Sequence, residues 1–346
     1  MKFVMRMKST LLFFIFGSLF LYLSQSVFAQ TAKNESKPNV EPTPTWIGYG
    51  DVGKGRKMYM ECRGTGSPTV ILIAGLGNRA DYWRITASEQ YPSVFSEAST
   101  FTRVCAYDRP GTMFFKEDGF DKSRSDAIPQ PTTAGQAADD LHALLAASNQ
   151  SGPYVLVGHS AGGLVARIYA AKFPQEVAGL VLVDALSEDL YNQLSQDDKQ
   201  FYDKKLNGLP KELIGHKELN EFERLDYVRS FGELKPVNPY LPTIVITADK
   251  APDFDGIYKS DPKRLEDMPA GFPTRLWSAQ VNAQNNLAKL FEARKNSAQF
   301  AQPATQLSNK HITQTNSGHY VQVEQPQIVS ESIREVVDRV RKSQRS

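Results

Sequence analysis

Residues 154–174 constrain the chain more than any other stretch. Tyr154-Val-Leu-Val157 is a short apolar run of the kind that forms a buried strand. It breaks at Gly158, and after Ser160 the residues Leu164, Val165, Ile168 and Tyr169 recur at helical spacing until Pro174 stops them. Strand, sharp turn and helix therefore surround Gly158-His-Ser160-Ala-Gly162. A serine in such a turn is held in a strained backbone conformation, and its hydroxyl is pushed out at the carboxyl edge of a sheet. Glycine suits positions 158 and 162 because a Cβ there would run into the neighbouring strand or helix. The bare Gly-x-Ser-x-Gly pattern arises by chance in roughly one chain of this length in ten. The strand and helix around it give it weight; without them it would mark only a closely packed helix N-terminus.

The rest of the chain alternates in the same way. Apolar runs at 69–74, 103–107, 178–184 and 243–247 read as further strands, with shorter candidates at 46–49, 57–62 and 310–315. Between them, Ala134, Ala138, Leu141 and Leu145 mark one helix, Trp83 falls in another, and Val329, Ile333, Val336, Val337 and Val340 form one stripe of a last helix opened by Pro326. Strands alternating with helices predict a mostly parallel sheet wrapped on both faces. No internal repeat is evident. From about 186 to 240 the pattern changes to polar helical segments punctuated by Tyr and Phe, without a clear strand.

The first 29 residues stand apart. Lys2, Arg6 and Lys8 precede an apolar stretch from Leu11 to Leu23, and Val27-Phe-Ala29 offers a small-x-Ala cleavage site before Gln30. This is the layout of a secretory signal peptide, with an apolar core short for a membrane-spanning helix. No cysteine follows the site to suggest a lipid anchor. Residues 30–45, dotted with Pro38, Pro42 and Pro44, read as a flexible tether. Removing 1–29 changes the formal charge from +2 to −1, so no polybasic face points to nucleic acid. The expectation is an exported protein, periplasmic or extracellular, without stable membrane insertion after cleavage. A hydrophobic share of 41% and a charged share of 23% suit one large domain over 46–343.

The stretch 154–163 resembles the nucleophile elbow of the α/β-hydrolase superfamily, and similarity extends over 46–343, sharpest at 69–77, 103–111, 154–184 and 317–326. The resemblance implies an α/β-hydrolase fold: a mostly parallel eight-stranded sheet with helices on both faces and a helical cap, here the insertion at about 186–240. It also implies an order of nucleophile, acid and histidine along the chain. Among the five histidines at 142, 159, 216, 311 and 319, only His319, in Ser317-Gly-His-Tyr320, occupies the loop ahead of the last helix. His159 belongs to the elbow itself, and His142 and His216 read as structural.

The acid is open between two positions. Asp184 ends the strand after the elbow helix, where some members of the superfamily carry it, and it is preferred. Asp249 follows the next strand, in Ala248-Asp-Lys-Ala-Pro-Asp253; the customary position there is taken by Ala251, and Asp253 is the third choice. Oxyanion donors are expected from the Ala161 N–H, after the nucleophile, and from Leu76, because Ala74-Gly-Leu-Gly77 is similar to the superfamily's His-Gly-x-Gly with Ala74 in place of His. Tyr107-Asp-Arg-Pro-Gly111 likewise resembles the loop after the fourth strand, with Arg109 read as a salt-bridging structural residue.

The resulting expectation is a serine hydrolase acting on a small ester-like molecule through Ser160, Asp184 and His319, with no metal or organic cofactor implied. Amide, lactone or carbon–carbon bond hydrolysis would use the same groups. A non-catalytic binding protein on this scaffold, or a module that binds a partner through 186–240, are the readings of another class. An aspartate nucleophile, needed for epoxide or haloalkane hydrolysis, is absent at position 160. The two cysteines, Cys62 and Cys105, fall in the second and fourth strands, neighbours in the superfamily's sheet order. They are either disulfide-bonded or packed as buried thiols.

Overall fold

The computed structural model describes residues 45–116, 119–206, 221–238, 240–255, 265–292 and 309–344. Residues 1–29, read above as a signal peptide, residues 30–44 of the expected tether, His216 and part of the 186–240 insertion lie outside the described residues.

Eight strands form one sheet: β1 (Trp46–Asp51), β2 (Lys57–Arg63), β3 (Thr69–Ile73), β4 (Val104–Tyr107), β7 (Tyr154–His159), β8 (Val177–Val183), β9 (Thr243–Ile246) and β10 (Lys310–Ile312). Their order is β1-β2-β4-β3-β7-β8-β9-β10. The pairings β1–β2 and β2–β4 are antiparallel, and all others are parallel. A small hairpin, β5 (Met113–Lys116) and β6 (Gly119–Lys122), stands outside the sheet. The strand expected at 310–315 is shorter than expected, ending at Ile312, because the chain then turns to deliver the loop that carries His319.

Side chains alternate between the two faces, as the pleat requires. Ile71 and Ile73 of β3 and Leu156 of β7 join a core with α2 (Ala134–Ala147), α3 (Ala161–Lys172) and α7 (Phe272–Glu292). Val70, Leu72, Val155 and Val157 face the other way, onto α1 (Val94–Ala98) and α9 (Pro326–Ser343), which follows the single turn of α8 (Val321–Glu324). The expected stripe on α9 is buried throughout: Val329, Ile333, Val336, Val337 and Val340 are at most 2% exposed. Each such side chain removed from water contributes about 1.5–3 kcal/mol. Cys62 and Cys105 face each other across β2 and β4, fully buried and disulfide-bonded.

Between β8 and β9 the described chain contains α4 (Glu188–Gln193), α5 (Gln196–Phe201), a π-helical turn (Tyr202–Leu206) and α6 (Tyr227–Gly232). α7, between β9 and β10, packs against α4, and Arg275 on it forms a bidentate ion pair with the buried Asp198 of α5. No helix among the described residues is long and apolar enough to cross a membrane.

Candidate active site

The sheet order brings the expected site residues together. Leu76 follows β3, Ser160 follows β7, Asp184 follows β8, Asp249 follows β9, and His319 lies in the loop after β10. These five strands are consecutive neighbours and mutually parallel, so the loops leave the same edge. The connections from β3 turn one way to β4 and those from β7 the other way to β8. Such a reversal opens a crevice at the carboxyl ends of the strands.

Ser160 has φ 53° and ψ −124°, the strained geometry expected of it. Its N–H donates to the Val183 carbonyl at 3.1 Å, and its own carbonyl accepts from the Gly163 and Leu186 N–H groups at 2.9 and 2.8 Å. These bonds over-determine the turn. A Cβ at Gly162 would lie 2.2 Å from the Ile73 carbonyl oxygen, and one at Gly158 would lie 2.5 Å from the Gly162 oxygen. α3 therefore begins directly against the end of β3, which sets its first turn beside the Ala74–Gly77 loop. The N–H of Ala161 is at the first helical position and has no intrahelical acceptor.

His319 faces Asp184. Its Nδ1 is 2.6 Å from Asp184 Oδ2, with the side chains 6% and 2% exposed. Asp184 sits at φ 39° and donates its N–H to the Ile246 carbonyl at 2.7 Å, while its Oδ1 accepts from the Ala248 N–H at 3.2 Å and from Gln280 Nε2 at 3.4 Å. With Nδ1–H donated to the carboxylate, the other ring nitrogen is left as an acceptor.

Asp249 does not reach the imidazole. It accepts the Asn316 and Ser317 N–H groups at 3.0 and 2.9 Å, and these bonds lower its pKa although partial burial acts to raise it. Glu324 accepts the next N–H, that of Gly318, at 3.1 Å; burial raises its pKa against that bond. Two carboxylates thus take three consecutive N–H groups of the loop ahead of His319. Asp253 is exposed further along the same connection.

His159 packs under this loop. Its Nε2 is 2.9 Å from the His319 carbonyl oxygen, which only a protonated nitrogen can satisfy, and the two rings lie 4.6 Å apart. Burial, helped by the His319 ring, holds its pKa well below the ordinary imidazole range. It is a neutral donor that fixes the backbone of His319. Tyr320 stacks on Tyr82 at 6.0 Å. His142 lies flat against Phe173 at 3.9 Å, away from the site and structural as expected.

Arg109 is a buried part of the site's framework. It pairs with Glu223, its Nε 2.6 Å from Oε1 and an Nη 2.9 Å from Oε2, and it donates to the Ala74 and Gly75 carbonyls at 2.8 and 2.6 Å. Glu223 Oε2 also accepts the Gly77 N–H at 2.7 Å. Burial disfavours the guanidinium charge, but the carboxylate more than offsets this and raises the Arg109 pKa. The preceding Asp108 accepts the Ala80 N–H and a two-pronged contact from Arg124.

Sequence reasoning did not find Glu223, Gln280 or the loop-clamping role of Asp249 and Glu324. Their partners are distant in sequence, and only Glu324, placed shortly after Ser-Gly-His, carried any local signal. Among the described residues no three His, Cys, Asp or Glu side chains converge as metal ligands would.

The family model of the alpha/beta hydrolase fold matches residues 68–326 of this chain. An uncharacterised protein of Schizosaccharomyces pombe is 32% identical over 166 residues, covering 42% of this chain and 28% of its own. A protein of Cronobacter sakazakii named as the carbamate hydrolase RutD is 32% identical over 119 residues, covering 34% of this chain and 38% of its own. The chain thus spans well under half the length of these curated relatives. A crystal structure described as a hydrolytic enzyme of Pseudomonas aeruginosa superposes with a TM-score of 0.52 at 18% identity, covering 84% of this chain and 94% of that one. That similarity concerns the fold alone. The chain belongs to the α/β-hydrolase fold family.

Proposed function

We propose that the protein is an exported serine hydrolase acting on a small carboxylic ester. The observation that carries this reading is the buried 2.6 Å contact of His319 Nδ1 with Asp184 Oδ2, on a loop packed against the residue next to the strained Ser160. In this mechanism His319 removes the Ser160 proton as the hydroxyl attacks the ester carbonyl, and Asp184 stabilises the imidazolium. The Leu76 and Ala161 N–H groups hold the oxyanion. His319 then returns the proton to the departing alcohol, and water repeats the sequence on the acyl-enzyme. The segment 186–240 acts as a cap over the crevice. The basic-then-apolar segment 1–29 directs export, with cleavage before Gln30.

A fluorophosphonate probe and chromogenic esters of graded acyl length test the reading. The wild type should take up one probe per chain and hydrolyse at least the short esters. Ser160→Ala should remain folded, take up none and lose nearly all turnover. A folded Ser160→Ala protein with wild-type turnover would remove Ser160 as the nucleophile, and a wild type inert to both reagents would favour a non-catalytic binding protein. Mass measurement of the exported form should show Gln30 at its N-terminus.

Carbamate hydrolysis is the second reading, supported by the name of the Cronobacter sakazakii relative. The same groups would act on it, so matched esters and carbamates compared by kcat/KM separate the two.

A further inference from the structure

Arg109 and Glu223 form a buried pair beside the Ala74–Gly77 loop. The peptide unit joining Gly75 to Leu76 contains the Gly75 carbonyl and the Leu76 N–H. In a trans planar peptide these two groups point in opposite directions. Arg109 holds that carbonyl at 2.6 Å, so it also fixes where the Leu76 N–H points. The next peptide unit is held by its N–H, which Gly77 donates to Glu223 Oε2 at 2.7 Å. Both peptide planes that meet at Leu76 are thus held by one ion pair. Among the described residues the Leu76 N–H has no acceptor of its own.

We infer that Arg109 and Glu223 are positioning residues that orient the Leu76 N–H as an oxyanion donor, and that Glu223 makes this orientation depend on the 186–240 insertion. The inference rests on the hydrolase reading given above. The pair is 4% and 5% exposed, so water does not replace either partner readily. The guanidinium makes two contacts to Glu223 and one each to the Ala74 and Gly75 carbonyls, so its donors converge on this one loop and its brace. The stretch bearing Glu223 is seated independently of its side chain. Its own N–H donates to the Gly111 carbonyl, and Thr132 pairs with Arg224 and Asp226 through the backbone. Gly111 permits this approach: at φ 78°, a Cβ there would lie 2.3 Å from the Glu221 oxygen and 2.7 Å from the Glu223 nitrogen. Loss of the Glu223 carboxylate therefore releases the loop without removing the segment.

The test compares wild type, Glu223→Gln and the double variant Arg109→Met/Glu223→Leu with an ester substrate and an arylboronic acid, which forms a tetrahedral adduct on the serine. The double variant removes both charges together, a change that buried pairs often tolerate in stability, so a fold remains to be measured if the single variant is unstable. Removing an oxyanion donor outright costs about 10²–10³ in kcat, and a donor free to turn should cost about 10- to 100-fold. The expected result is that loss in kcat in the folded variant, with KM within about twofold and boronate affinity falling in parallel with kcat. A folded variant with unchanged kcat and boronate affinity, or with raised KM alone, overturns the inference while leaving the hydrolase reading intact. A wild type without hydrolysis overturns both.

Discussion

Asp184 and His319 are joined by a 2.6 Å hydrogen bond across a sequence separation of 135 residues. Asp249, one strand further on, instead holds the backbone of the loop that carries the imidazole. The two aspartates should therefore separate kinetically. Asp184→Asn is expected to lower kcat by about 10³–10⁴, because the amide no longer enforces the working tautomer. Asp249→Asn should cost less than about tenfold, since it alters only the seating of the loop. Steady-state kinetics on folded variants checks this, and equal losses would place the acid elsewhere.

The contact between α3 and β3 leaves no room for a side chain at Gly162. Gly162→Ala would set a Cβ 2.2 Å from a backbone oxygen, and destabilisation of about 1–3 kcal/mol or failure to fold is expected. Gly232→Ala is the control, because a Cβ there meets nothing within 4 Å. Thermal melts of the two variants should diverge; similar melting temperatures would contradict the close packing.

The Cys62–Cys105 bond closes a loop with a sequence separation of 43. In the chain-entropy model such a closure stabilises by about 4 kcal/mol. Denaturing the purified protein without reductant and alkylating it should add no mass, and the Cys62→Ala/Cys105→Ala variant should unfold at markedly lower urea. Two alkyl adducts on unreduced protein would show free thiols instead.

His159 links acidity to stability. Its folded pKa lies well below that of an unfolded histidine, about 6.5, so below that pH the unfolded chain binds a proton that the folded chain refuses. The contribution is complete above about pH 6.5 and is lost progressively as pH falls towards the depressed value, by up to about 1.4 kcal/mol per pH unit. His159→Gln should flatten the stability profile between pH 6.5 and 5 by about one proton. Urea unfolding across that range measures it, and parallel profiles would count against a buried neutral imidazole.

Much of the framework was legible because buried strands announce themselves. Five of the eight sheet strands, β3, β4, β7, β8 and β9, coincide with apolar runs, the other three with shorter candidates, and the Gly-x-Ser-x-Gly turn carries its own steric signature. α7 was not legible: Phe272, Leu276, Ala279, Ala283 and Leu287 keep helical spacing, but Pro273 and the run Asn282-Ala-Gln-Asn-Asn286 dilute the signal. The β5–β6 hairpin was not legible either, because strands as short as Met113–Lys116 and Gly119–Lys122 show no clean apolar–polar alternation. The sequence favoured Asp184 over Asp249 without deciding between them, since both follow apolar strands. What separates them is the turn at Asp184, where φ 39° presents its carboxylate to the imidazole. The partner of Arg109 was equally hidden, 114 positions away in a polar segment.

The seating of Glu223 on Gly77 and Arg109 bears on how readily this scaffold could change its substrate. An insertion between two strands looks like an exchangeable module, free to be replaced while the chemistry beneath it stays intact. Here a graft would inherit two obligations: an acceptor for one backbone amide and a counter-charge for a guanidinium sealed from water. A foreign insert that ignores them would leave a stranded cation behind the crevice. New specificities in this lineage should therefore arise by substitution within the existing insert more easily than by transplanting another.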